Sequence, residues 1–133
     1  MVRQMISKIE MLQQVARDYV IKGLGEKEFD NIPYTDDVVL RAPLNPGGSR
    51  VPLRGKENLR LYWWAPLPGL LKKVTLLDTF VNELHSSVAV EFHCELIEPA
   101  CTLRIIDRFK VNERGQITEQ ENFFDPREVT NPV

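Results

Sequence analysis

In the second half of the chain, residues 73–81, 87–94, 101–112 and 116–124 alternate apolar and polar side chains with a period of two. That period sends successive side chains to opposite faces of a sheet, so each stretch is predicted to be a strand with one covered face. The connections between them are short, at residues 82–86, 97–100 and 113–115. Such connections join antiparallel neighbours, because a parallel return needs a crossover of about a dozen residues or more. Whatever covers this sheet must come from the first half of the chain.

The first half begins as a helix. From Met5, the residues Ile9, Leu12, Ala16 and Tyr19 follow alternating steps of four and three, which places them on one amphipathic stripe. Gly23 and Gly25 are expected to end that helix, with one further short helical turn within residues 26–30 before Pro33 stops it. Residues 37–42 read as a short strand and residues 43–52, containing Pro46-Gly47-Gly48-Ser49, as a loop. Residues 56–64 are helical by composition and must break at Ala65-Pro66. Helices first and a meander afterwards is the pattern of a segregated α+β fold, with the helices on one face of an antiparallel sheet. With 133 residues, 43% of them hydrophobic, the chain is expected to close one core as a single domain spanning residues 1–133.

The formal charge is −2 and the basic residues are scattered, so the electrostatic footprint of a nucleic-acid binder is missing. The first twenty residues carry Arg3, Lys8, Glu10, Arg17 and Asp18, which interrupts any signal peptide or membrane span and predicts a cytoplasmic protein. In that compartment Cys94 and Cys101 are expected to stay reduced. His85 and His93 fall in a turn and most of a strand away, so no metal site is expected from them.

One strand carries a chemical anomaly. In residues 101–112, Leu103, Ile105, Asp107, Phe109 and Val111 share a face, which sets one carboxyl in an apolar row. A buried carboxyl either pairs with a cation, reaches water, or stays protonated with a raised pKa. An arginine partner would make Asp107 structural; a second polar group nearby would make it functional, and Tyr19, on the inward stripe of the first helix, is the candidate. Tyr62, Trp63 and Trp64 are successive on a helix and cannot all point inward, so at least one is exposed or at a contact.

The order of elements, the strand Asp107-Arg108-Phe109-Lys110-Val111, the turn Glu113-Arg114-Gly115-Gln116-Ile117 and the closing Phe123-Phe124-Asp125-Pro126 resemble the SnoaL-like branch of the nuclear-transport-factor-2-like superfamily. The resemblance covers nearly the whole chain and implies a curved antiparallel sheet wrapped around the N-terminal helices in a cone with an internal apolar pocket. The chain is also similar to the steroid Δ-isomerases. Their first-helix tyrosine falls on Tyr19 in Val15-Ala16-Arg17-Asp18-Tyr19-Val20, and their protonated aspartate on Asp107. That likeness implies a pair of donors for a developing oxyanion. The isomerases' base position reads Ala42 in Val39-Leu40-Arg41-Ala42-Pro43, which accepts no proton, and the place comparable to the epoxide hydrolases' water-activating carboxylate is Asn122.

The implied function is the binding of a small hydrophobic molecule, with cofactor-free isomerase, cyclase or lyase chemistry on a carbonyl compound as its enzymatic form. The alternative is a non-catalytic protein-interaction or dimerisation module. Leu40, Tyr62, Trp63, Leu76, Val90, Phe92, Ile105, Phe109 and Phe123 are expected to line the pocket around Tyr19 and Asp107. A homodimer is expected on the outer face of the sheet, shielding Val74 or Leu76, Ile106 and Phe124.

Overall fold

A computed structural model of the protein describes residues 2–131, with side chains from residue 7 onward; the Met5 side chain, predicted to begin the first stripe, lies outside the described residues. Helix α1 (Val2–Asp18) buries Leu12, Val15 and Ala16 and runs directly into a π-helical segment, Tyr19–Gly25, that buries Tyr19, Val20 and Leu24. The helical run passes through Gly23 and ends at Gly25, so only the second glycine stands where the helix was expected to end. Gly23 serves close packing instead: a Cβ there would lie 2.7 Å from Cγ1 of Ile32, which is fully buried. The chain turns after Gly25, with Lys27 in the left-handed region at φ 56°, and makes a short 3-10 turn at Phe29–Asn31.

Strands β1 (Tyr34–Arg41) and β2 (Leu53–Arg54) flank the predicted loop. Helix α2 (Lys56–Asn58) continues as a second π-helical segment, Leu59–Trp64, and α3 (Leu67–Leu70) follows Pro66. The meander is β3 (Leu71–Val81), β4 (Ser87–Leu96), β5 (Cys101–Val111) and β6 (Ile117–Phe123), closed by α4 (Arg127–Thr130). The six strands form one sheet in the order β2-β1-β6-β5-β4-β3. The expected antiparallel sheet is in fact mixed, because β1 pairs with β6 in parallel, with Leu40 opposite Gln120 and Arg41 opposite Glu121. Connection length dictates direction only between consecutive strands, and β1 reaches β6 across the whole meander.

Strand β4 alternates without a fault: Val88, Val90, Phe92, Cys94 and Leu96 are buried, and the residues between them are half-buried on the other face. In β5 the buried set is Leu103, Ile105, Asp107 and Phe109. Each fully buried Val, Phe or Ile contributes about 1.5–3 kcal/mol, and a slip of one residue would turn the whole set outward, so the β4–β5 register is strongly specified. Helix α1 packs against β3 and β4, and the core lies between these helices and the inner face.

The outer face differs in part from expectation. Bulges near Lys72 and Leu77 reset the parity of β3, so Val74 and Leu76 pack against the core. Phe124 also packs inward, and the exposed apolar side chains are Leu77, Phe80, Ile106 and Phe123. Among the described residues, no helix is long and apolar enough to cross a membrane.

Candidate functional site

A cavity of about 200 Å³ opens between the inner face of the sheet and the two π-helical segments. Its floor carries the buried residues Tyr19, Phe92, Ile105, Asp107 and Asn122, and its mouth is marked by the exposed residues Leu44, Tyr62, Pro66 and Glu98. Six of the predicted residues line it: Tyr19, Tyr62, Trp63, Phe92, Ile105 and Asp107. The aromatic triplet divides as helix geometry demands, with Trp64 buried in the core, Trp63 half-buried on the wall and Tyr62 exposed at the mouth.

The other predicted lining residues lie elsewhere. Leu40, Val90 and Phe109 face inward, but they are sealed in the core, where the Tyr19 ring packs edge-on against Phe109 at 4.9 Å. The cavity sits over the half of β4 and β5 nearest their connecting turn, so Cys94, Leu96 and Leu103 line it instead. Leu76 is half-buried against the core. Phe123 points outward beside Ile106, because a register shift at Lys110/Val111 turns Gln120 and Asn122 inward. Neither amide was singled out from the sequence as part of the pocket. Continuing the inward alternation of β4 and β5 toward their turn would have found Cys94 and Leu103.

Asp107 is fully buried, and Arg104 and Arg108, its neighbours along β5, are exposed on the opposite face; Arg108 meets Glu121 there at 3.6 Å. The arginine-paired reading of Asp107 therefore fails. Its Oδ2 accepts a hydrogen bond from Gln120 Nε2 at 3.3 Å, and Gln120 Oε1 accepts one from Tyr34 Oη at 2.5 Å. The other carboxyl oxygen, Oδ1, is buried and without a partner.

Burial pushes the Asp107 carboxyl up to about 7, against the opposing pull of Asn122, Tyr19 and Gln120, which favour the charged form. Burial first, and the Asp107 charge second, hold the Tyr19 phenol well above its ordinary value, so it stays a neutral donor. The Cys94 thiol, pushed up to about 12 mainly by burial, is no nucleophile near neutrality. The floor thus combines a phenol, a carboxyl poised near neutrality and the Asn122 amide in apolar surroundings, an arrangement suited to holding a carbonyl or enolate oxygen.

Ala42 is buried at the end of β1 and lines the same cavity, while Asp36 and Asp37 are exposed. The remaining lining carboxylate, Glu98, sits at the mouth. Among the described residues, no group of three or more His, Cys, Asp and Glu side chains is arranged to hold a metal, and both cysteines are free.

The raised Asp107 pKa fixes a sign. The folded carboxyl holds its proton up to about pH 7, whereas an unfolded aspartate loses it near 3.9. The folded state therefore binds more protons between those values, and this group's contribution to stability declines as pH rises through the window. The decline integrates to roughly 4 kcal/mol. Chemical denaturation at pH 4 and pH 8 should show that Asp107→Asn loses less stability over this interval than the wild type; parallel losses would place the folded carboxyl in the ordinary range.

No sequence-family model matches the chain and no curated protein matches it in sequence. Solved structures do match in fold. A Δ5-3-ketosteroid isomerase from Mycobacterium sp. superposes with a TM-score of 0.70 at 18% identity, over 86% of this chain and 93% of that one. A Mycobacterium tuberculosis protein in complex with estradiol-17beta-hemisuccinate gives 0.67 at 20% identity, over 85% and 93%. A SnoaL-like protein of unknown function from Burkholderia thailandensis gives 0.68 at 21% identity, over 87% and 96%. At these identities the likeness is one of architecture alone: the chain shares the fold of the SnoaL-like protein and of the ketosteroid isomerase.

Proposed function

We propose that this single domain binds one small, uncharged, largely apolar molecule in the cavity and holds its carbonyl or hydroxyl oxygen with Asp107 and Tyr19. The observation that carries this reading is the unpartnered Oδ1 of Asp107 on the floor of an apolar cavity. Leaving a buried polar atom unpaired costs about 1–3 kcal/mol, a cost that a ligand oxygen offsets. The superposition on a steroid complex and on a ketosteroid isomerase supports the same ligand chemistry.

Trp63 lines the cavity and stacks on the Tyr19 ring at 6.5 Å, so its fluorescence should report occupancy. Titration with a naphthol should give a single saturable change, weakened about tenfold in Asp107→Ala by loss of the hydrogen bond to the carboxyl. A linear, unsaturable response in the folded wild type would remove the reading.

Within this reading the isomerase form lacks only its base. The wild type should leave a β,γ-unsaturated ketone essentially unconverted, and Ala42→Asp should raise the isomerisation rate. A general base is worth about 10²–10⁴-fold where the oxyanion donors are already in place. Asp107→Ala in the Ala42→Asp background should erase the gain. A folded, ketone-binding Ala42→Asp protein with no rate increase would show that the pocket geometry is not an isomerase's.

A second observation favours self-association. Leu77, Phe80, Ile106 and Phe123 are exposed on the outer face, where the Arg108/Glu121 and Lys110/Glu119 pairs interleave both charge signs. We propose a homodimer through this surface, whose apolar side chains and charges of both signs give a second copy something to pair with about a two-fold axis. Light scattering at micromolar concentration should give twice the chain mass, reduced to the chain mass in Ile106→Glu; a monomer in the wild type would end the proposal.

A further inference from the structure

Among the described residues, two buried side-chain polar atoms have no hydrogen-bond partner, Asp107 Oδ1 and Asn45 Nδ2, and both residues line the same cavity. Asn45 is held in place by its own backbone. Its N–H donates to the Ala42 carbonyl at 3.2 Å and its carbonyl accepts from the Gly48 N–H at 2.8 Å, so the loop positions the side chain without using the amide. The Nδ2 group is a donor and needs an acceptor.

The sheet gives the spacing from Asp107 to the foot of the loop that carries Asn45. Asp107 pairs with Asn122 on β6, and the parallel register that sets Arg41 opposite Glu121 brings Ala42 level with Asn122. Asp107, Asn122 and Ala42 therefore form one inward row across three adjacent strands, spanning two strand spacings or roughly 10 Å. Asn45 lies beyond Ala42, on the loop that leaves this row. Leu44, Leu103 and Phe124 line the same cavity and offer a ligand only apolar contact.

We infer that the ligand of this cavity is two-headed, with one oxygen held against Asp107 Oδ1, a second hydrogen-bond acceptor held by Asn45 Nδ2, and a rigid apolar body between them. This rests on the reading of the cavity as a binding site and adds to it a substrate class. Simple aryl ketones with one oxygen fill half of the site. Keto ethers and diketones whose rigid body reaches from Asp107 to the Asn45 loop satisfy both ends. Asn45 is then the residue that selects among apolar carbonyl compounds by what they carry at the end remote from Asp107.

Two probes separate the claims: acetylnaphthalene, with one acceptor, and its derivative bearing a methoxy group on the far ring. By Trp63 fluorescence the wild type should bind the methoxy probe about fivefold more tightly, the worth of one neutral hydrogen bond to a buried donor. Asn45→Ala should remove that preference. Asn45→Asp, which replaces the donor by an acceptor of the same shape, should reverse it. Saturable binding of both probes with equal affinity in the wild type would overturn the two-headed ligand and leave the binding reading intact, since water alone would then satisfy Asn45. A preference that survives in both Asn45 variants would overturn it equally. Failure of both probes to saturate would remove the binding reading and this inference with it.

Discussion

The hydrogen bonds from Tyr34 to Gln120 and from Gln120 to Asp107 tie three strands of the sheet together and decide what the cavity floor presents. An amide has a donor end and an acceptor end. In the orientation present, Gln120 donates to the carboxyl through Nε2 and accepts from the buried phenol of Tyr34 through Oε1. Oδ2 is thereby occupied, and Oδ1 is the carboxyl oxygen left without a partner. Tyr34 stands on β1, Gln120 on β6 and Asp107 on β5, so the orientation of the floor depends on the parallel β1–β6 pairing that closes this side of the sheet.

Much of this architecture is legible in the sequence because alternation is a local signal with a physical cause. All four strands of the meander appear close to where their periods place them, and the inward set of β5 is the predicted one through Phe109. Asp107 stood out because a carboxylate in an apolar row is costly wherever the rest of the chain goes. The failures have two origins. Bulges shift parity by one residue while leaving no compositional mark, so alternation alone sets Phe123 inward where the structure has Gln120 and Asn122, and Asn122 is marked in the sequence only by the resemblance. The position of the cavity along the strands, which excludes Leu40, Val90 and Phe109, is set by how deeply Tyr19 and Trp63 intrude. That depth is a tertiary quantity without a period.

The two π-helical segments extend this point. They carry Tyr19 in the first case and Tyr62, Trp63 and Trp64 in the second, the aromatic side chains of the cavity wall and the core beside it. A π turn inserts residues into the helical period, so Tyr19 and Leu24, both buried, stand five residues apart, a step the alternation of fours and threes from Ile9 to Tyr19 does not contain. Such turns are uncommon and cluster at functional sites. Here they coincide with the residues that shape the cavity, where a regular period would present other side chains.

The parallel contact between β1 and β6 also governs the order in which the cavity is assembled. Asn122, Phe124 and Val129 all line it, and all lie in the last stretch of the chain. Tyr34 and Gln120, whose hydrogen bond orients the floor, are separated by most of the molecule's length. Contacts of such long sequence separation form late, after the entropy of closing a large loop has been met. The hairpin of β4 and β5 can form from neighbouring residues, but the cavity does not exist until β6 has docked beside β1. The residues of β6 and α4 must therefore have been made before a ligand can find its site, and any ligand that binds there acts on this docking step, favouring the completed sheet by mass action.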